Sequence, residues 1–470
     1  MKLQKYMLFT AILVLINGCS GVGFLESNAV IYDGPLLVSE EGPIPGVPPT
    51  VNYADFWVRN AENSDDIIMT PEEIDRFNDA NPLNRTTYLL DVLDLPDEST
   101  GENVRAYISS NARYLEHATL YVTGEVPLEQ AQRHRIIALM DTLGVPDIIT
   151  LKFGVVLRRV EGKTWPTIML LMGTPNDIEF DSNIVSSMDM GDPVALLHVS
   201  RDGLWSYVQH SQYTCWIPSD AVAFGDKEIV RTLVSKADFL MATGHRVSVY
   251  GTPGSGTALG AIQMGSTLPL STVGSDYCGV LIPGRGELGE LVVKKGFVRR
   301  DSNVSLGFLP YTLRNVYTQC FRLYGRKYGW SGMYEERDCS GYVMDVFRCF
   351  GFRLPRNSSR QAEVSHAVIS LEGMDRETRL QAVRNSPGGI SLLRMPGHIM
   401  IYLGQADGTP YTIHDFWAWR EPAVEGLDVT HRAARIAVTD LLLGDGSIRG
   451  SFIDRLTHIT ILGNYIIVNQ

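Results

Sequence analysis

Asp338-Cys339-Ser340-Gly341-Tyr342-Val343-Met344-Asp345-Val346-Phe347 is the stretch on which the fold turns. Behind Cys339 the apolar residues Val343, Val346, Phe347 and Phe350 recur at i, i+3, i+4 and i+7 from Val343, the spacing of one helix face. Asp338 stands where an N-cap belongs, and Gly351 and Pro355 end the pattern. A cysteine in the first turn of a helix meets the positive end of the macrodipole and free backbone N–H groups, which favour thiolate over thiol. A thiolate there is a nucleophile, and the same N–H groups can receive the oxyanion it creates. The alternative is a buried structural cysteine. Flanking polar Asp338 and Ser340 make that a poor site for core filling.

Two histidines follow. Gly397-His398-Ile399-Met400-Ile401-Tyr402-Leu403-Gly404 and Tyr411-Thr412-Ile413-His414-Asp415-Phe416 read as strands, and Gln405-Ala406-Asp407-Gly408-Thr409-Pro410 as the turn between them. A hairpin centred near Asp407 brings His398 almost opposite His414. Same-face cross-strand neighbours lie about 5 Å apart, so one imidazole can orient the other. Nucleophile, base and orienting group then occur in the order Cys339, His398, His414.

These residues resemble the NlpC-type, papain-like cysteine peptidases of bacterial cell walls. The matching pieces are Tyr328-Gly329-Trp330-Ser331-Gly332, Arg337-Asp338-Cys339-Ser340-Gly341, Leu354-Pro355-Arg356-Asn357-Ser358-Ser359-Arg360-Gln361, Gly397-His398-Ile399 and Ile413-His414, in the family's order. One departure is Ser331-Gly332, where many members have two glycines. The resemblance implies a γ-D-glutamyl-diamino acid endopeptidase, cutting between γ-D-glutamate and a diamino acid such as diaminopimelate in peptidoglycan stem peptides (L-Ala-γ-D-Glu-diamino acid). It implies a thioester intermediate and no metal or organic cofactor. The backbone N–H of Cys339 is the expected oxyanion donor, aided by the Tyr328 hydroxyl. Asp338 and Ser340 are expected to bind polar groups of the γ-D-glutamate or of the terminal amine. Arg356 is open between such a role and a structural one. Two other readings compete: an N-acetylmuramoyl-L-alanine amidase or cross-link peptidase with the same triad, and a non-catalytic peptidoglycan-binding lipoprotein.

Outside this domain the chain divides by texture. Its 470 residues are too many for one core, so several modules are expected. A net charge of −12 without a basic stretch argues against a nucleic-acid partner. Lys2 and Lys5, then an apolar run from Met7 to Ile16, make residues 1–18 a signal segment too short to span a bilayer. Its end, Leu15-Ile16-Asn17-Gly18-Cys19, resembles a lipoprotein signal lipidated at Cys19, and Ser20 resembles outer-membrane retention. A lipid anchor in the cell envelope, facing the periplasm, is therefore expected.

Residues 19–50, rich in proline, read as a tether, and 51–160 as a mainly helical stabilising domain. In the latter, Thr70-Pro71-Glu72-Glu73 is a capping box with proline at N1. Residues 161–230 and 231–303 read as two small SH3-like β-barrels, with 304–470 as the peptidase domain: an α+β multidomain protein. In relatives the first barrel helps accept the free amino end of the stem peptide. By shape rather than by motif, that role falls on Tyr213. Cys215, Cys278, Cys320, Cys339 and Cys349 show no CxxC spacing, which speaks against a zinc site, and their odd number leaves at least one free thiol or an interchain pair.

Overall fold

The computed structural model describes residues 42–423 and 427–463. The signal segment 1–18, Cys19 and the tether as far as residue 41 lie outside the described residues. The described chain forms two compact units, one of 85–307 with 330–333, the other of 42–84, 308–329 and 334–463.

In the first unit, helices Gly101–His117 and Gln130–Met140 precede the sheets. Glu129 and Gln132 form a reciprocal capping box that fixes the start of the second helix. Val104, Ile108, Leu115, Ile136 and Met140 bury against Phe153, Trp205, Tyr207 and Trp216 of a seven-stranded antiparallel sheet. That sheet runs, in spatial order, Val222–Gly225, Lys152–Val156, Pro193–Val199, Trp205–Gln209, Thr214–Pro218, Val160–Lys163 and Ile184–Met188. Pleat alternation sends Trp216 to that core, while Cys215 and Ile217 join a second cluster with Met188, Val194 and Val208. Its first strand, Lys152–Val156, lies inside the stretch expected to be helical; Phe153-Gly154-Val155-Val156 is buried throughout, so no alternation betrays it. A second seven-stranded antiparallel sheet spans Phe239 to Leu306 around Val249, Ile262, Leu268, Val280 and Val298.

The second unit carries helix α1 (Cys339–Arg348) and a six-stranded antiparallel sheet. Its strands are β1 (Val368–Ser370), β2 (Ser391–Met395), β3 (His398–Ala406), β4 (Thr409–Pro422), β5 (Asp428–Asp440) and β6 (His458–Ile461), in the order β1-β6-β2-β3-β4-β5. Helix α1 packs across β3 and β4. The expected helix face of Val343, Val346 and Phe347 is fully buried. Helices Ala54–Asn60 and Pro71–Ala80 belong to this unit, the latter with the Thr70–Glu73 capping box formed. The helical stretch 51–160 is thus shared between the units. All five cysteines among the described residues are buried, and none of them is in a disulfide. Burial pushes the Cys320 and Cys349 thiols up to about 12, well away from thiolate chemistry.

Candidate active site

The β3–β4 hairpin turns at Asp407-Gly408, both left-handed (φ 50° and 77°), the geometry of a tight two-residue turn. From the turn the pairing runs Ala406–Thr409, Gln405–Pro410 and Gly404–Tyr411, then Tyr402–Thr412 and Ile401–Ile413. One residue, Leu403, is therefore extra on β3: a β-bulge, with Gly404 at φ 119°. Its consequence follows from the pleat. Continued without the bulge, the first register would put His398 and His414 on opposite faces; the one-residue shift restores them to the same face. Continued outward, the second register puts His398 diagonal to His414 rather than opposite it.

The two imidazoles meet, His398 Nε2 lying 2.6 Å from His414 Nδ1. His414 Nε2 lies 3.0 Å from Thr439 Oγ1, which is 3.1 Å from Thr412 Oγ1, which donates to Met400 Sδ at 3.7 Å. A thioether only accepts, so it sets the direction of the whole chain. Thr412 donates to Met400, Thr439 to Thr412, His414 Nε2–H to Thr439, and His398 Nε2–H to His414 Nδ1. Nδ1 of His398 is then the unprotonated nitrogen, available as a base. Burial, reinforced by Arg455, draws the His398 imidazole down to about 3, and burial together with His398 draws His414 far down. Both rings rest neutral, as the relay requires. His414 is further clamped by Phe416, stacked at 4.3 Å, and by the edge of Phe452 at 5.4 Å.

Cys339 opens α1, as the sequence implies. Asp338 caps the helix by accepting from Gly341 N–H at 2.9 Å. Asp338 also acts on His398 by charge, favouring the protonated ring against the effect of burial. Arg356 forks onto the Asp338 carboxylate at 2.6 and 2.9 Å and donates to Ser340 Oγ at 2.6 Å. Burial works against the Asp338 charge, yet the Arg356 guanidinium and the hydrogen bonds from Gly341 and Ser340 keep the carboxyl below its ordinary range. Arg356 therefore offsets the negative charge beside Cys339.

Asp338 and Ser340 are almost wholly buried and hydrogen-bond each other and Arg356; Gln361 Nε2 donates to the Ser340 carbonyl at 2.9 Å. Tyr328 is half-buried, its N–H donating to the Ala434 carbonyl on β5 and its ring edge-on to Trp417 at 5.8 Å. Tyr213 is buried in the other unit, its hydroxyl donating to the Ser187 carbonyl at 2.9 Å. Ser331 and Gly332, the departure noted above, are both left-handed (φ 50° and 93°), and Ser331 holds a conformation that favours glycine. Thr439, Thr412 and Met400 escape a sequence reading, because Thr439 reaches His414 only through the β4–β5 register. Among the described residues no three His, Cys, Asp or Glu side chains group to hold a metal ion.

A helix-start cysteine, and a neutral imidazole with a buried relay behind it, are groups that can carry out nucleophilic hydrolysis. Residues 325–414 match the NlpC/P60 family, and residues 173–218 match an SH3 domain of the SH3b1 type. The chain thus carries an NlpC/P60 domain with an SH3b domain, the make-up of a cell-wall peptidase. An NlpC/P60 endopeptidase from Photobacterium damselae subsp. piscicida shares the fold, with a TM-score of 0.73 at 17% identity over 91% of this chain and 99% of that one. An NlpC/P60 family protein from Bacillus cereus ATCC 10987 superposes at a TM-score of 0.41, with 16% identity over 59% of this chain and 82% of that one. None of the curated proteins matches the chain.

Proposed function

We propose that the protein is a γ-D-glutamyl-diamino acid endopeptidase of peptidoglycan stem peptides, with Cys339, His398 and His414 as its catalytic residues. The observation that carries the triad is the directed relay from His398 through His414 to Thr439, which leaves His398 Nδ1 as the base. The choice of bond rests on the sequence resemblance to the NlpC-type peptidases.

In the mechanism, His398 Nδ1 takes the Cys339 thiol proton as the sulfur attacks the γ-carbonyl carbon of D-glutamate. The oxyanion is received by the Cys339 backbone N–H at the helix start, with the Tyr328 hydroxyl as second donor. The imidazolium gives its proton to the departing amine, leaving a thioester. His398 then removes a proton from water, which attacks the thioester and regenerates the thiol. His414 holds the His398 ring and its tautomer throughout. Asp338 and Ser340 act by fixing the start of α1, and the reaction needs no cofactor. The proposal includes the two SH3-like barrels, the amino-terminal stabilising helices, and a lipid anchor at Cys19 holding the protein to the outer membrane on its periplasmic side.

The test is incubation of residues 20–470 with L-Ala-γ-D-Glu-meso-diaminopimelate, with products read by mass spectrometry. Release of L-Ala-D-Glu by wild type and not by Cys339→Ala is the expected result. Cleavage of intact muropeptides alone would favour the amidase or cross-link reading. Binding without turnover of either would leave a non-catalytic clamp.

A further inference from the structure

Beside the histidines, on the far side of Phe452, lies a cavity of about 230 Å³ whose walls include Trp417, Trp419, Arg420, Arg449, Phe452 and Arg455. Three guanidinium groups line one small cavity, Arg420 and Arg455 half-buried and Arg449 open to solvent, so like charges crowd there. The compensation in reach is slight. Asp428 lies 3.9 Å from Arg420, and its oxygens already accept from the Ile448 N–H at 2.9 and 3.1 Å. Glu421 is turned to Trp419 Nε1 and His431, while Asp445 and Asp454 are taken up by Arg376. Among the described residues no carboxylate lies within ion-pair distance of Arg449 or Arg455. Burial, then the neighbouring arginines, pull the Arg455 guanidinium down to about 10, and burial with Arg420 lowers Arg449. The cavity is short of negative charge.

Its position relative to the chemistry is given by the same residues. Phe452 stands between the cavity and His414, edge-on to that ring at 5.4 Å, with the Arg455 guanidinium 5.7 Å from the Phe452 ring centre. The fields of Arg455 and Arg449 reach His398. The imidazole delivers a proton to the departing amine, so the leaving residue must lie on the histidine side of Cys339. The volume is below the 300 Å³ or so of a drug-sized site and suits a single side chain.

We propose that this cavity is the subsite for the leaving diamino acid, and that Arg449 and Arg455 bind its side-chain carboxylate, selecting diaminopimelate over lysine. The inference rests on the endopeptidase reading above. Guanidinium forks match carboxylates in two-point geometry, and the flanking tryptophans cover the methylene stem. Lysine would bring its ammonium into the cavity without the carboxylate that accompanies it in diaminopimelate.

The experiment compares wild type, Arg449→Gln and Arg455→Gln on L-Ala-γ-D-Glu-meso-diaminopimelate and on L-Ala-γ-D-Glu-L-lysine. Both peptides keep the glutamate carboxylate and the α-carboxylate of the last residue, so they differ at the side chain alone. Each variant is expected to lose about tenfold or more in kcat/KM on the diaminopimelate peptide, mostly through KM, and less than about threefold on the lysine peptide. Arg455→Lys, which keeps the charge, should retain most of the preference. An equal loss on both peptides, or no loss on either, overturns the proposal. Calorimetry of free meso-diaminopimelate and L-lysine on the full chain separates the two readings should wild type cleave neither peptide. Diaminopimelate binding that disappears in both variants would keep the subsite while the endopeptidase reading fell; no binding to wild type would end both.

Discussion

Thr439 shows how much a single hydroxyl decides. It accepts from His414 Nε2–H and donates onward to Thr412, whose own proton goes to a sulfur that can only accept. Thr439→Val removes the acceptor and leaves a buried N–H unpaired, so the protons of both histidines lose their fixed places. We expect kcat to fall about tenfold with KM little changed, and Thr439→Ser to restore it; a purely structural role would lower the melting temperature without that split. Asp415, the next residue along β4, makes the opposite case. It is fully buried with neither oxygen partnered, and Asp338, Arg337, Glu336 and Tyr342 lie close enough to act on it by charge. Burial first, then Asp338 and Glu336, push its carboxyl well above the ordinary range, against the pull of Arg337, so the native state holds a proton that the unfolded chain releases near pH 4. Above that pH the native state binds more protons than the unfolded one, and stability falls by about 1.4 kcal/mol per pH unit until the native carboxyl ionises. Asp415→Asn should therefore match wild type at pH 4 and gain on it as the pH rises from there in denaturant melts; a pH-independent difference would contradict this. Cys339, His398 and His414 were legible because helix spacing and strand alternation expose them. Thr439 and Asp415 were not, since nothing local separates a strand threonine in a relay from one in a core, or an unpartnered aspartate from a surface one.

At the scale of the element, the bulge at Leu403 is what makes two histidines sixteen positions apart into a pair. A strand pattern shows period two and is blind to a single inserted residue, so the hairpin could be read but not its parity. The difference is visible in the outcome: His398 lies diagonal to His414, and the bond between them forms because the shift returned both to one face. Deleting Ile399, with the bulge and the Ile401–Ile413 pairing kept, should move His398 one place along β3 and point its ring to the face opposite His414. Residues 398–403 of β3 are buried whichever way they face, so the sheet is expected to tolerate the change. The expected result is turnover no higher than that of Cys339→Ala, with a cooperative melt and unchanged far-ultraviolet dichroism. Activity within about tenfold of wild type would mean that the pairing of the imidazoles is dispensable, since misplacement of about 1 Å can already cost on the order of a hundredfold.

The whole chain is threaded in a way its sequence hides. The capping box located the helix Pro71–Ala80, but sequence order alone assigned it, with Ala54–Asn60, to a separate amino-terminal domain. Both belong to the unit that holds Cys339, and the other unit is an insertion between residues 84 and 308, with 330–333 returning to it. The joining contacts are specific. Trp57 packs on Tyr317 and Tyr411, at 6.3 and 6.1 Å, and Phe77 on Phe352 at 5.3 Å. Asn78 Nδ2 donates to the Gly351 carbonyl at 2.9 Å and its Oδ1 accepts from Arg353 N–H at 2.8 Å, so the first helices clasp the chain where α1 ends. Long-range contacts of this kind leave no mark on local composition, which is why the boundary at 304 looked sufficient. A fragment of residues 304–470 should therefore expose the faces that Trp57, Phe77 and Asn78 cover, and fold poorly alone. Losing Trp57 alone is equivalent to a large-to-small core change of about 3–5 kcal/mol, a large share of a domain's 5–15 kcal/mol. Residues 42–84 joined by a flexible linker to 308–470 should instead give a cooperative melt and a dispersed NMR spectrum. If the 304–470 fragment melts as cooperatively as the joined one, the clasp is an ornament on a self-sufficient domain; if only the joined fragment does, the catalytic unit is built from both ends of the chain around an insertion.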